Sequence, residues 1–215
     1  FIKDLDEIPF PAYDKVDMKY YTKPNLYAIR GVPVASFYVF SSRGCNYRCN
    51  FCVNKNVFKR TVRFRDPKKV VDEMEYLVKN YNLDAIYFYD DTFTLKKSRV
   101  IEICDEIITR DIKVFWSCMA DAKLEEDTLR QMKKTGCVAV KFGVESASPT
   151  ILKNINKPIN LDNVKAVVQR CKKVGIETHA TYMFGLPGET KETIKETTDF
   201  AFTLNTDTAQ FSVAI

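Results

Sequence analysis

The 215-residue chain has one histidine, no apolar run near the roughly 20 residues that a membrane-spanning helix needs, and no dense basic run with interleaved aromatics. Each absence excludes something. With His179 as its sole histidine, any zinc site would have to be built mainly from cysteine. The N-terminal FIKDLDEIPF carries acids and a proline where a signal peptide carries a basic and then an apolar stretch, so export is not expected and a cytoplasmic location is. The net charge of +5 comes from lysines spread along the chain, as on solvated helix faces, and nucleic acid is not an expected partner. A G-x-G-x-x-G loop is also missing after the first expected strand, which argues against a dinucleotide fold.

What is present describes a single globular core, with 46% hydrophobic and 28% charged residues. The chain begins at Phe1 rather than methionine and is expected to be a piece of something longer. Residues 1–35 hold four of the eight prolines and read as an irregular arm or linker. From residue 36, short β-rich runs alternate with amphipathic stretches: ASFYVFSS, AIYFYDD, KVFWSCM, VAVKFGVE, IETHATYMFG and AQFSVAI. Asp66-Pro67 and Ser148-Pro149 are helix starts, and the glycines of MKKTGC and CKKVGI are helix stops. QMKKTGCVAVKFGV and RCKKVGIETHATYMFG echo each other as one repeated β/α unit. The expected fold is therefore α/β, a partial (β/α)6 open TIM-like barrel of parallel strands over residues 36–215, truncated at its C-terminus. A flat doubly wound sheet is the alternative.

Either architecture puts ligand sites at the C-terminal ends of the strands. There the sequence gathers the cysteine cluster after strand one, Asp90 and Asp91 after strand two, and Ser117 and Cys118 at strand three. Glu145 and Ser146 end strand four, and Gly185-Leu186-Pro187-Gly188-Glu189 follows strand five. Plainer roles exist for each. The aspartates could cap a helix, Glu145 could pair with Lys141 or Arg170, and the glycine segment could be a simple turn. His179 could be a hydrogen-bonded core histidine, facing either the barrel interior or the helices. Cys104, Cys118, Cys137 and Cys171 stand alone and read as small buried hydrophobes. Only Cys45, Cys49 and Cys52, spaced C-x3-C-x2-C, have ligand spacing. Zinc would need a fourth ligand, whereas an iron-sulfur cluster held by three thiolates keeps one iron open to a substrate or cosubstrate.

That spacing, with Phe51 just before the third cysteine and directly after a strand, resembles the radical S-adenosylmethionine (SAM) enzymes. The segments YFYDDTFTLKKSRV, FGVESASPTILKNINK and YMFGLPGET resemble the branch that commonly carries an upstream cobalamin-binding domain, with C- and P-methylases and the anaerobic ring cyclase of the chlorophyll pathway. Methylthiotransferases share the S-R-G-C opening and are the enzymatic alternative; a non-catalytic iron-sulfur or zinc-binding module is the other. The resemblance implies a four-iron, four-sulfide (4Fe-4S) cluster on Cys45, Cys49 and Cys52, with SAM chelating the fourth iron. It implies cofactor contacts from Phe51, Glu145, Ser146, Thr181, Gly185, Leu186 and Pro187, and catalytic or substrate roles for Asp90, Asp91 and His179. It further implies reductive SAM cleavage, a 5'-deoxyadenosyl radical, a reduced ferredoxin or flavodoxin as electron donor, and a small-molecule, lipid or tetrapyrrole-type substrate. No D-x-H-x-x-G appears, so any cobalamin is expected on a domain outside this chain.

Overall fold

The computed structural model describes residues 1–214. Its main sheet has six parallel strands, β1 (Ser36–Val39), β4 (Ala85–Phe88), β5 (Phe115–Met119), β6 (Cys137–Glu145), β7 (Glu177–Phe184) and β8 (Thr208–Val213), in that order. A two-residue antiparallel pair, β2 (Ser42–Arg43) and β3 (Arg63–Phe64), stands apart from it. The helices are α1 (Met18–Tyr21), α2 (Asn54–Val57), α3 (Pro67–Tyr81), α4 (Lys97–Thr109), α5 (Glu126–Lys134), α6 (Pro149–Asn154), α7 (Leu161–Val174) and α8 (Lys191–Leu204). All six expected strands are there, although Ile215 of the last lies outside the described residues.

Spatial order in the main sheet follows chain order without reversal. A doubly wound sheet reverses direction at a switch point, so this sheet is singly wound, as an open barrel requires. No helix of the described residues is long and apolar enough to cross a membrane.

Local chemistry places the helices. Asp66 caps α3 by accepting from the Lys68 amide at 2.8 Å, with Pro67 as the first helical residue. Asn160 caps α7 in the same way, and Gly175 ends it at φ 77°, a left-handed conformation that glycine adopts without strain. Ser148 precedes Pro149 at the start of α6, but its side chain makes no capping bond.

Alternation along the strands sorts side chains between two faces. Val39, Ile86, Phe88, Trp116, Cys118, Val140, Phe142, Ala180 and Tyr182 join the main core with Val71, Leu129 and Val167 of the helices. Cys104, Cys118, Cys137 and Cys171 are all fully buried there, as small hydrophobes. The opposite, concave face has a smaller cluster of Ala85 and Tyr87 with Ala28 and Ile29 from the N-terminal arm.

The arm does two jobs. Its first part lies against α3, where Tyr13 stacks on Tyr76 and its hydroxyl donates to buried Glu73. Its second part closes the floor of the concave face: the Ala28 carbonyl accepts from Ser117, and the Tyr27 carbonyl accepts from Lys141.

Candidate radical cofactor site

The cysteine segment leaves the sheet from a fixed base. Asp90, only 2% exposed, accepts from the Ser41 amide at 2.7 Å, from the Ser42 hydroxyl at 2.6 Å and from the Ser41 hydroxyl. Buried Arg99 donates to the Ser41 carbonyl at 2.6 Å. Burial pushes the Asp90 carboxyl up, and the serine donors and Arg99 offset part of that. Just beyond, Gly44 sits at φ 94° with its amide donating to Asp91 at 3.1 Å, and a Cβ there would come within 2.0 Å of the Thr61 carbonyl oxygen. Only glycine lets the chain turn this close to its returning limb.

Beyond Gly44, three hydrogen bonds lace the cysteine loop to the end of α6. Asn50 donates to the Ile155 carbonyl from its backbone and to the Asn154 carbonyl from its side chain, both at 2.9 Å, and Asn156 donates to the Arg48 carbonyl at 3.0 Å. On the other flank the Tyr47 hydroxyl donates to Asp121. The Cys45 amide donates to Asn54 Oδ1 at 3.2 Å. A loop held at its base and both flanks presents its side chains in one arrangement.

Cys45, Cys49 and Cys52 line one wall of a cavity of about 240 Å³, together with Phe51, Asp91, Asp121, Glu145 and Lys157. Burial pushes the Cys45 and Cys49 thiols up; Lys157 draws Cys49 partly back. Among the described residues, no group of three or more His, Cys, Asp or Glu side chains is already gathered as a metal site.

Glu145, at the end of β6 and 8% exposed, lines the same cavity. Its φ is 68°, rare for a residue with a side chain, and the β6–β7 register slips between Gly143 and Glu145. The bulge aims its carboxylate at Lys157, 3.3 Å away, rather than at Lys141 or Arg170, the partners that its plainer ion-pair role would have used. Lys141 instead donates to the Tyr27 carbonyl and Arg170 to the Leu124 carbonyl. Burial pushes the Glu145 carboxyl up, with Lys157 opposing. A Cβ on Gly143 would lie 2.4 Å from Glu145 Oε1, so this glycine leaves room for the ion pair.

The remaining expected residues lie outside this cavity. Asp90 supports the loop from below, and neither aspartate caps α4, whose N-cap is Lys96. Ser146 is fully buried, bonded to Thr197 and accepting from the Ser148 amide, so it closes the β6–α6 turn. Leu186 packs on Ile151, Leu152 and Ile155, and the Pro187 carbonyl accepts from Asn154. The segment 185–187 thus braces the helix end that holds the cysteine loop. Thr181 and His179 lie deeper on the concave side of β7, with His179 Nδ1 2.8 Å from Thr208 Oγ1.

Tyr47, Asp121 and Lys157 at this site were not anticipated. Lys157 closes the quoted segment FGVESASPTILKNINK, and Tyr47 falls inside the cysteine spacing. The sequence carries no sign that distant Asp121 meets Tyr47.

Residues 39–201 match the Radical SAM superfamily model, and the chain belongs to that superfamily. It is 36% identical to an uncharacterized methyltransferase of Pyrococcus horikoshii over 99% of this chain and 45% of that protein. It is 37% identical to the anaerobic magnesium-protoporphyrin IX monomethyl ester cyclase of Rubrivivax gelatinosus over 80% of this chain and 31% of that one. The chain thus spans less than half the length of either relative. Among solved structures, the radical SAM methyltransferase TsrM from Kitasatospora setae, with tryptophan and a SAM analogue bound, shares the fold at TM-score 0.77 and 23% identity. That match covers 91% of this chain and 37% of TsrM.

Proposed function

We propose that this chain is the catalytic core of a radical SAM enzyme that works with cobalamin on a neighbouring domain, in methyl transfer or radical ring formation. The observation that carries the reading is the cavity that Cys45, Cys49 and Cys52 line together with the Glu145–Lys157 pair. The family match and the methyltransferase and cyclase relatives support it. So does a second TsrM structure, with cobalamin and a 4Fe-4S cluster bound, which shares this fold at TM-score 0.75.

Cys45, Cys49 and Cys52 hold the cluster, and Phe51, Asp91 and Glu145 surround the space beside it for SAM. When bound, the cluster would supply the electron that cleaves SAM's sulfonium C5'–S bond into methionine and a 5'-deoxyadenosyl radical, which would abstract a hydrogen atom from a substrate carbon. The chain's own residues do the rest. Glu145 and Asp91 accept hydrogen bonds from SAM's hydroxyls or ammonium, and Lys157 keeps the Glu145 carboxylate charged and aimed. Asp90, Arg99 and the 185–187 turn fix the loop without touching the cofactor. A reduced ferredoxin or flavodoxin in a low-oxygen cytoplasm supplies the electron, and the substrate is a small molecule such as a tetrapyrrole.

Anaerobic reconstitution with iron and sulfide tests the metal assignment. About four irons and four sulfides per chain, lost in Cys45→Ala, Cys49→Ala and Cys52→Ala alike, are expected. A full cluster in any of these variants, or stoichiometric zinc without sulfide, would overturn it.

A further inference from the structure

On the concave face, deeper than the cofactor cavity, three nitrogen-bearing side chains meet with no acid among them. Lys141 on β6 and His179 on β7 are register partners, 5% and 4% exposed. Lys141 donates to the Tyr27 carbonyl at 2.8 Å, and its ammonium stands 3.9 Å from the centre of the Tyr87 ring. Burial and then the charge of Arg30 push its pKa down to about 8, with Cys118 opposing and no carboxylate beside it among the described residues. Burial, then Arg30 and Lys141, push the His179 ring down to about 4. His179 Nε2 is buried with no hydrogen-bond partner among the described residues, and so is Arg30 Nε. The Arg30 guanidinium makes one long bond, 3.4 Å, to Gln210.

Such an arrangement is costly for the chain alone, since a buried ammonium without an acid and an orphaned ring nitrogen each lose hydration without full compensation. An anion between them would satisfy all three. Beside the cluster, Tyr38, Phe40, Tyr87 and Tyr89 form a run of edge-to-face rings, with Phe40 and Tyr89 about half exposed. This is a wall for a planar apolar body. Lys141 and Glu145 are four residues apart on β6, about 13 Å along the strand. A group held at Lys141 leaves that length for the rest of a molecule to reach toward the cofactor cavity.

We propose that Arg30, Lys141 and His179 bind the anionic head group, a carboxylate or a phosphate, of a substrate whose apolar body lies on the tyrosine wall. This rests on reading the concave face as the substrate chamber of the radical SAM site. The N-terminal arm is then part of substrate recognition, since it supplies both Arg30 and the carbonyl that positions Lys141.

His179 is the sole histidine, so its imidazole signals in a ¹⁵N-histidine-labelled sample are unambiguous. The full chain is titrated with propionate and, separately, inorganic phosphate, against chloride at equal ionic strength. The expected result is a ring protonated on Nε2, with signals that shift saturably for at least one anion; the one saturating at lower concentration identifies the head group. Lys141→Met should abolish the saturable shift with circular dichroism unchanged, and Arg30→Gln should weaken it about tenfold. A ring protonated on Nδ1, a response no larger than chloride gives, or an undiminished response in folded Lys141→Met would overturn the proposal. The titration needs neither cluster nor SAM, so its failure is distinguishable from failure of the radical SAM reading.

Discussion

Lys157 Nζ lies 3.3 Å from Glu145 Oε1, with side chains only 18% and 11% exposed, in the lining of the cavity that also holds the three cysteines. Removing one partner of a buried pair strands the other charge, at a cost of about 3 kcal/mol. Lys157→Met should therefore lower stability in urea by roughly that amount, and Glu145→Gln in the same chain should recover part of it. A buried carboxyl whose pKa is raised stabilises the fold least once pH rises through that pKa, and Lys157 opposes the rise. The loss in Lys157→Met should accordingly be larger at pH 8 than at pH 5. Strictly additive effects with no pH dependence would mean that the pair is uncoupled.

Gly44→Ala should be far more damaging than its size suggests. The backbone there is at φ 94°, and the added carbon would meet the Thr61 carbonyl at 2.0 Å. The loop must move away from Thr61, which displaces Cys45. Iron content after reconstitution should fall to less than half of wild type, and wild-type iron loading in the alanine variant would contradict the geometry.

Asp90 and Asp91 are neighbours with separable roles. Asp90→Asn replaces an acceptor of three buried donors with a group that is itself part donor, and should cost about 2 kcal/mol of stability together with cluster retention. Asp91 is exposed, so Asp91→Ala should change stability by less than about 0.5 kcal/mol while weakening SAM binding. Equilibrium unfolding beside isothermal titration with SAM separates the two, and equal stability losses would erase the distinction.

His179 sets an acid limit on the fold. Its folded pKa is depressed to about 4, from an ordinary value of 6.5, so the unfolded chain binds the proton more readily between those values. The contribution of this group is fully present above pH 6.5 and is lost as pH falls toward 4. Urea midpoints from pH 7 to pH 4.5 should drop more steeply in wild type than in His179→Gln. Parallel profiles would place the ring in an environment unlike the one described here.

Much of the fold could be read from the chain because doubly covered parallel strands are continuous apolar runs, and VAVKFGVE and IETHATYMFG stand out from the charged helices between them. The same continuity hid which way His179 faces, since alternation is invisible when both faces are buried; the structure turns it to the concave side with Lys141. The cysteine spacing pointed to the candidate site, and Cys45, Cys49 and Cys52 do line one cavity. That Glu145 pairs with Lys157 was not legible, because a register slip and a left-handed residue redirect its carboxylate, and neither leaves a trace in composition. The short β2–β3 pair and the arm's role as the floor of the sheet depend on contacts between distant segments, Ser117 with Ala28 among them. Local patterning says nothing about such contacts.

The central claim is tested most directly by reducing the reconstituted chain with dithionite under anaerobic conditions, adding SAM, and measuring 5'-deoxyadenosine by chromatography. 5'-Deoxyadenosine should form in the wild-type chain and be absent in Cys49→Ala. A complete four-iron cluster that leaves SAM intact would contradict that claim.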